Sequence, residues 1–565
     1  MSNHTALLLE DASSSYRVYI GDNIGCLRVA QCNPPSVLPK QYVGPSVKPL
    51  ILPNFKSHSE HAVQRIAIGV LSTHVYVVAM ARKNATIDIV HVINQSLPST
   101  STAAAAVSEL RANIICTIKE THMKPGIQRF IGLAVDTQGV YSVTSSGVLR
   151  FTPISVTGTT QVTAEVGEPK VLDHLPAPLQ HASFYPSTNP THFCYGGEDI
   201  PLSLWHIPTA LSQPSIEADM SVESIRTTED LSSLNSKQRK RKRQLEAKSK
   251  ASELVWGEVW RAKNLPNDNL SLPRRANITS TCILNLSTTQ DGEAGRVNDQ
   301  THIAVGTKDG LVRIFQPDSS RKHVGEIRVV PIGQSAVKTL CASSDPLDAR
   351  KGGLLFVGDT GSQLYAVDWQ TGKVVYAYKR SDQVGATLSM VVLPPSCSAM
   401  DSIKSEALVT VSSDSLVRLH STVPASLAVP KAGASSKKGQ LLWSKMIANA
   451  ASQSVHATPT AIVWDGVMPP ALNKTRVKNV DGEQDGDQEE DDEGEDQVWA
   501  NMEEIGSKKA NKNVKNNVAA EQDTDDNEDE EEDDDQEEEQ VQKNTTNANA
   551  KRKATKPAQP KKSRK

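Results

Sequence analysis

Apolar and polar positions along this 565-residue chain follow one unit that occurs seven times. Each copy is an apolar run ending in a small residue, a turn over polar or glycine residues, and a second run of alternating apolar positions. The copies are Tyr19–Val29 (YIGDNIGCLRV), Val75–Val90, Val140–Phe151, Phe193–Ile207, His302–Phe315, Leu354–Asp368 and Ala407–His420. Period-two alternation marks half-buried strands, and Asp-Gly, Thr-Gly, Ser-Gly and Asn-containing turns tolerate the positive φ of tight hairpins. One hairpin cannot bury its own apolar face, so a serial array implies sheets stacked around an axis. The fold class expected is all-β: a seven-bladed WD40-like β-propeller.

The turns centre near Asn23, Asn84, Ser146, Asp199, Asp309, Gly361 and Asp414, at intervals of 61, 62, 53, 110, 52 and 53 residues. Compact four-stranded blades repeat at roughly 40–45 residues, so the loops are long. The interval of 110 has room for an eighth blade. Residues 208–255 are polar and charged without strand alternation, which favours seven blades plus an insertion. The expected organisation is a propeller over 1–471, with a basic, flexible insertion at 208–255 between blades 4 and 5, then a disordered tail over 472–565. The Trp-Asp dipeptide is missing from the expected strand ends, so the repeats are degenerate.

Charge divides the chain more sharply than its net value of −4 suggests. Residues 481–540 hold 28 Asp and Glu against four lysines, whereas residues 1–480 carry a net +11. Acidic blocks such as DDNEDEEEDDDQEEE repel themselves too strongly to bury anything, hence the expected disorder. Such a tail either solubilises the protein or mimics a phosphate backbone on its own basic surface. Two basic clusters stand apart from it. Lys551, Arg552 and Lys553 with Lys561, Lys562, Arg564 and Lys565 form a two-part nuclear-import pattern. Lys237, Arg239, Lys240, Arg241, Lys242 and Arg243 form a denser run inside the insertion, and its good helix-forming neighbours suit folding on phosphate. The plainer reading of either cluster is a solvated charge run.

Other classes lack their signatures. Seven cysteines are scattered singly without a C-x-x-C pair, which argues for reduced thiols in an intracellular compartment. The N-terminus has only a three-Leu run and no basic flank, so no signal peptide is expected. The longest apolar stretch, Ile66–Ala81, is interrupted by polar residues and suits strands better than a membrane span. No nucleophile elbow, phosphate loop or H-E-x-x-H is present, and Thr371-Gly372-Lys373 lacks the preceding glycine of a phosphate loop. The fourteen histidines show no metal spacing, and His206, His302 and His420 at strand ends read as structural. No catalytic residue, metal or cofactor is expected, and the chain is not expected to be an enzyme.

The most specific local sequence follows the insertion: Val259–Leu272, VWRAKNLPNDNLSL. Its Asn-Leu-Pro-Asn-Asp core is a turn signal, with Trp260 and Leu265 placed to staple it to the propeller. Arg261 and Lys263 are candidates to face a phosphate or an acidic partner. With His302–Phe315, the following Arg321-Lys322, FVGDTGSQLYAVDWQTGKVV and VTVSSDSLVRLH, this stretch resembles the nucleolar WD-repeat ribosome-assembly factor family. That family comprises the Nop-seven-associated proteins of the pre-60S particle and their animal WD-repeat counterparts. The likeness spans about residues 16–423 and is strongest over Trp256–His420. It implies a non-catalytic propeller, a monomer within a large complex, that binds pre-60S assembly factors and precursor rRNA in the nucleolus. It also implies removal by an AAA-type ATPase, and for the animal relatives a link to an RNA helicase and the exosome. On this view Lys237, Arg239–Arg243, Arg261, Lys263, Arg321 and Lys322 are the candidate RNA- or partner-binding residues. The main alternative is a chromatin or histone adaptor, for which the acidic tract would serve. A ubiquitin-ligase receptor would need a ligase-docking motif that is not seen.

Overall fold

The structure is a computed structural model, and it describes residues 7–9, 16–32, 47–72, 75–96, 108–158, 162–212, 253–265, 267, 270–271, 274–285, 301–343, 353–378, 384–394, 406–422, 438–447 and 457–467. All of them belong to one compact unit, Met1–Thr475. The tail with Lys551–Lys553 and Lys561–Lys565 lies outside the described residues, as does the run Lys237–Arg243.

The described strands form seven separate sheets. Blade 1 is ordered Pro459–Trp464, Tyr16–Asp22, Leu27–Cys32, Val47–Leu50. Blade 2 is Val63–Leu71, Val75–Arg82, Thr86–Ser96, Ser108–Lys119, and blade 3 begins Phe130–Asp136, Gly139–Thr144, Leu149–Thr157. The third strand of blade 3 pairs on its outer side with both Thr163–Val166 and Lys170–Leu172. Blade 4 is Leu179–Tyr185, His192–Gly197, Ile200–His206, Glu258–Arg261. Blade 5 is Ile278–Asn285, His302–Thr307, Leu311–Phe315, His323–Arg328. Blade 6 is Val337–Ala342, Leu354–Asp359, Leu364–Asp368, Lys373–Tyr378, and blade 7 is Thr387–Leu393, Ala407–Ser412, Leu416–Ser421, Leu441–Met446. Every hairpin expected from the sequence is the second and third strand of one blade, and no eighth sheet occurs among the described residues. The three-Leu run near the N-terminus is an edge strand, Leu7–Leu9, paired with the outer strand of blade 2.

The first strands of the seven blades line the axis. Each touches the next in cyclic order, and Pro459–Trp464 touches both Thr387–Leu393 and Val63–Leu71. The ring closes because this C-terminal strand pairs with the N-terminal strand Tyr16–Asp22, with Val18 opposite Trp464 and Ile20 opposite Ile462. Apolar clusters fill the spaces between neighbouring sheets, as where Tyr19, Val29 and Leu50 of blade 1 meet Ile68, Val78 and Val90 of blade 2.

The insertion sits differently from the expectation. Glu258–Arg261 is the fourth strand of blade 4, so residues 208–255 interrupt that blade and do not separate blades 4 and 5. A strand of only four residues is too short to announce itself by alternation.

The small residue that ends each apolar run has a packing reason. It stands where the second strand of one blade meets the inner strand of the next. A Cβ on Gly21 would lie 2.5 Å from Val63, one on Gly196 2.4 Å from Ile278, and one on Gly306 2.4 Å from Val337. The backbone of Gly306 is not left-handed, so its requirement is space alone. Gly306→Ala is expected to lower stability by about 1–3 kcal/mol in denaturant titration, the usual range for overpacking. Gly325→Ala, whose Cβ would meet nothing nearer than Ile314 at 3.7 Å, should change little.

A second regularity sets the axis. Every inner strand carries a bulge at its second residue: Gln64, Ile131, Gln180, Thr279, Lys338, Leu388 and Thr460. A bulge places one extra residue against the partner strand and re-aims the side chains beside it. Two of these residues clasp neighbouring blades. The Thr460 hydroxyl donates to Gly21 O at 3.1 Å and Val63 O at 2.6 Å, and the Thr279 hydroxyl is near Gly306 O and Val337 O in the same way. The hairpin turns read from the sequence stand at this same end of the ring: Asn23 N–H donates to Thr458 O, Lys83 N–H to Ala62 O, and Lys308 N–H to Asn277 O.

Candidate functional site

Four of the expected binding residues meet at the outer edge shared by blades 4 and 5. The fourth strand of blade 4 ends in Trp260-Arg261, and the chain continues to Lys263 beside the loop that carries Arg321 and Lys322. The Lys263 N–H donates to Arg321 O at 2.8 Å, and Arg321 Nε donates to Arg261 O at 2.9 Å. Arg321 is therefore a clamp between the two blades, through its backbone and its side chain together.

Arg261 is also committed. Its Nε donates to Glu258 Oε1 at 2.7 Å and its Nη2 pairs with Oε2 of the same carboxylate. The hydrogen bond to Glu258 holds the guanidinium above its ordinary range. Glu258 is itself buried and accepts from Ser203 Oγ at 2.5 Å and from Val255 N–H at 3.1 Å. Both arms of the Arg261 fork face a buried carboxylate, so this side chain builds the edge and presents little to a phosphate. Trp260 is buried and meets Phe315 of blade 5 edge-on, with centroids 5.7 Å apart, which makes it the expected staple. Lys263 and Lys322 are exposed, and they are the two candidates of this group free to meet a partner.

The insertion is tethered to this edge. The His206 N–H donates to Gly257 O at 2.9 Å, so the strand that leads into the insertion and the one that follows it are joined at their ends. Immediately beside that junction Leu254, Val255 and Trp256 are exposed. Val255 also lines a groove of ≈ 360 Å³ with His174, Tyr195, Trp205 and Arg261.

The other chemical candidates resolve as structure. Thr371-Gly372-Lys373 is the hairpin turn entering the last strand of blade 6, with Gly372 at φ 69° and the Asp368 carboxylate accepting from Gln370 and Thr371 N–H. His206 Nδ1 lies 2.7 Å from Thr209 Oγ1, His302 packs on Trp369 with centroids 5.0 Å apart, and buried His420 reaches Thr410 Oγ1 through Nε2 at 3.0 Å. Among the described residues no three His, Cys, Asp or Glu side chains are grouped to hold a metal, and no helix is long and apolar enough to cross a membrane.

One constellation escaped the sequence reading. The bulged ends of the inner strands surround an axial cavity of ≈ 410 Å³ whose lining includes Arg65, Arg129, His181 and Lys338 and, among the described residues, no Asp or Glu. Each stands at or just before the start of a different strand, and they are spread over 274 residues from Arg65 to Lys338 when both ends are counted. No local pattern brings them together.

No family model and no curated protein matches the chain. Among solved structures it is similar to Sqt1 of Saccharomyces cerevisiae, at 9% identity over 74% of this chain and 86% of that one, with a TM-score of 0.38. It is similar to Chaetomium thermophilum Sqt1 bound to the N-terminus of ribosomal protein L10, at 10% identity over 73% and 88%, with a TM-score of 0.37. The WD40 β-propeller domain of Doa1 matches at 10% identity over 68% and 82%, with a TM-score of 0.35. At these values the assignment of a seven-bladed propeller stands on the strand pairing itself.

Proposed function

We propose that this chain is a non-enzymatic ribosome-biogenesis factor, a propeller scaffold that binds pre-60S particles through assembly factors and precursor rRNA. One observation carries the reading. The blade 4–5 edge presents exposed Lys263 and Lys322 where the basic insertion is anchored, on a body of net charge +11 over residues 1–480. Lysines and arginines gathered on one edge attract a phosphate backbone without reading its sequence. The resemblance over Trp256–His420 adds the particle and residence in the nucleolus, and the basic clusters at Lys551–Lys553 and Lys561–Lys565 add import to the nucleus. Release by an AAA-type ATPase belongs to the same reading.

The test is to neutralise Lys237, Arg239, Lys240, Arg241, Lys242, Arg243, Lys263 and Lys322 together, and to measure association with large-subunit precursor rRNA against salt. Each phosphate contact removed should flatten the log–log slope by about 0.7–0.9, with unfolding midpoints unchanged. An unchanged slope removes this edge from RNA binding. Core histones co-purifying without rRNA would favour the chromatin adaptor.

A further inference from the structure

We propose that the axial cavity is an anion site for a small phosphate-bearing molecule, held by Arg65, Arg129 and Lys338 with the Nε2 N–H of His181. Blades 2, 3, 4 and 6 supply these groups: Arg65, His181 and Lys338 at the bulged starts of their inner strands, and Arg129 immediately before the strand Phe130–Asp136. They therefore converge from different sides of one cavity, on the rigid part of the fold.

The donors are oriented by the protein. Arg65 Nε donates to Ile131 O at 3.0 Å, and Arg129 Nη2 donates to Gln180 Oε1 at 2.5 Å. Both bonds fix a guanidinium and leave its remaining N–H groups over. His181 Nδ1 accepts the Thr281 N–H at 3.2 Å, which places the ring proton on Nε2. Burial, and then the charges of Arg65 and Arg129, hold this imidazole well below its usual pKa, so it is a neutral donor at physiological pH.

What is missing is the counter-charge. Among the described residues no carboxylate lines the cavity, and none of the three cations forms an ion pair with a described residue. They act on one another instead. Burial and the Arg129 charge lower Arg65 to about 10 and also lower Lys338. An anion drawn into the cavity relieves that repulsion. A phosphoryl group suits the site because its several oxygens can each face a donor from a different strand, and guanidinium forks match them in pairs. The volume admits a diphosphate with its water and is far too small for a folded partner. None of this depends on the pre-60S reading above.

The experiment titrates the full-length chain at low salt with inorganic pyrophosphate, followed by calorimetry and by thermal unfolding. Saturable binding that raises the melting temperature is expected. Lys338→Met and Arg129→Gln, made separately so that a folding defect in one leaves the other informative, should each weaken binding at least tenfold. Lys263→Gln with Lys322→Gln should leave it unchanged. Absence of saturable binding overturns the proposal, as does equal affinity in Lys338→Met, or loss of binding in the Lys263/Lys322 variant. Triglutamate binding as tightly as pyrophosphate would make the ligand a carboxylate and also overturn it. A 5′-phosphorylated oligonucleotide displacing pyrophosphate at low stoichiometry would overturn the assignment to a small molecule.

Discussion

Arg82→Met is expected to destabilise the propeller by about 3–5 kcal/mol, the range for removing one member of a buried ion pair. Arg82 is 1% exposed, and its Nε donates to Asp88 Oδ2 at 2.6 Å. Its Nη1 also donates to Gly25 O at 2.8 Å and His61 O at 2.9 Å, and the guanidinium lies 4.5 Å from the centroid of Phe55. One side chain thus joins the hairpin of blade 2 to the hairpin of blade 1 and to the segment that connects the blades. Methionine fills similar space while leaving Asp88 buried without its cation, with the Thr117 hydroxyl still donating to it at 2.7 Å. The measurement is the free energy of unfolding from denaturant titration. Blade 1 provides a sharper control, because the same two hairpin positions hold the reverse pair, Asp22 and Arg28, at 2.9 Å. The exchange Arg82→Asp with Asp88→Arg should therefore recover part of the loss but not the clasp to Gly25 and His61. An exchange no better than Arg82→Met would show that the ion pair is not the source of the effect.

Acid should unfold the ring earlier than its carboxylates alone would require, through buried histidines. Burial first, and then the Arg418 charge, hold His420 down at about 3, while burial and His206 hold His192 at about 4. An unfolded histidine titrates near 6.5, so between that value and the folded one the unfolded chain binds more protons. The contribution of His420 is therefore complete above about pH 6.5 and is lost as pH falls toward 3. Asp465 acts oppositely: burial raises it to about 6 against the pull of Val467 N–H and Arg17, so its term favours folding as pH falls from 6 toward 4. Total stability mixes these signs, and a difference between variants separates them. Relative to His420→Gln, the wild type should lose on the order of 3 kcal/mol between pH 6.5 and 4, at about 1.4 kcal/mol per pH unit. Parallel stability curves for the two proteins across that window would refute the assignment. Below pH 4 a further loss is expected from Asp414. Burial pushes its carboxyl up, but bonds from Arg418 and Ser412 outweigh this and hold it at about 2.

How far the site could be read from the chain differs residue by residue. Trp260 reads in the sequence as a staple beside a turn signal, and it is buried against Phe315. Arg261 looked like its neighbour Lys263 in the sequence, yet one is folded onto Glu258 and the other is exposed. The difference lies in a carboxylate three residues earlier, which pleating and a register shift at Trp205 bring onto the same side. Arg321 likewise read as a surface cation and serves as a clamp on the backbone of the next blade. Charge alone does not separate these roles.

Local pattern by itself determined the seven hairpins and their turns and favoured seven blades over eight, and the strand pairing decided the count. Alternation with a period of two, broken by residues that accept unusual φ, reports only on neighbours in sequence, and a hairpin is made of such neighbours. The contacts between distant segments were decided by the tertiary structure. These are the C-terminal strand that closes blade 1, the return of the chain to complete blade 4 after residues 208–255, and the ring of bulges that gathers Arg65, Arg129, His181 and Lys338 around one axis. Each of these depends on which strand lies beside which after closure, and that arrangement follows from burying seven apolar faces at once.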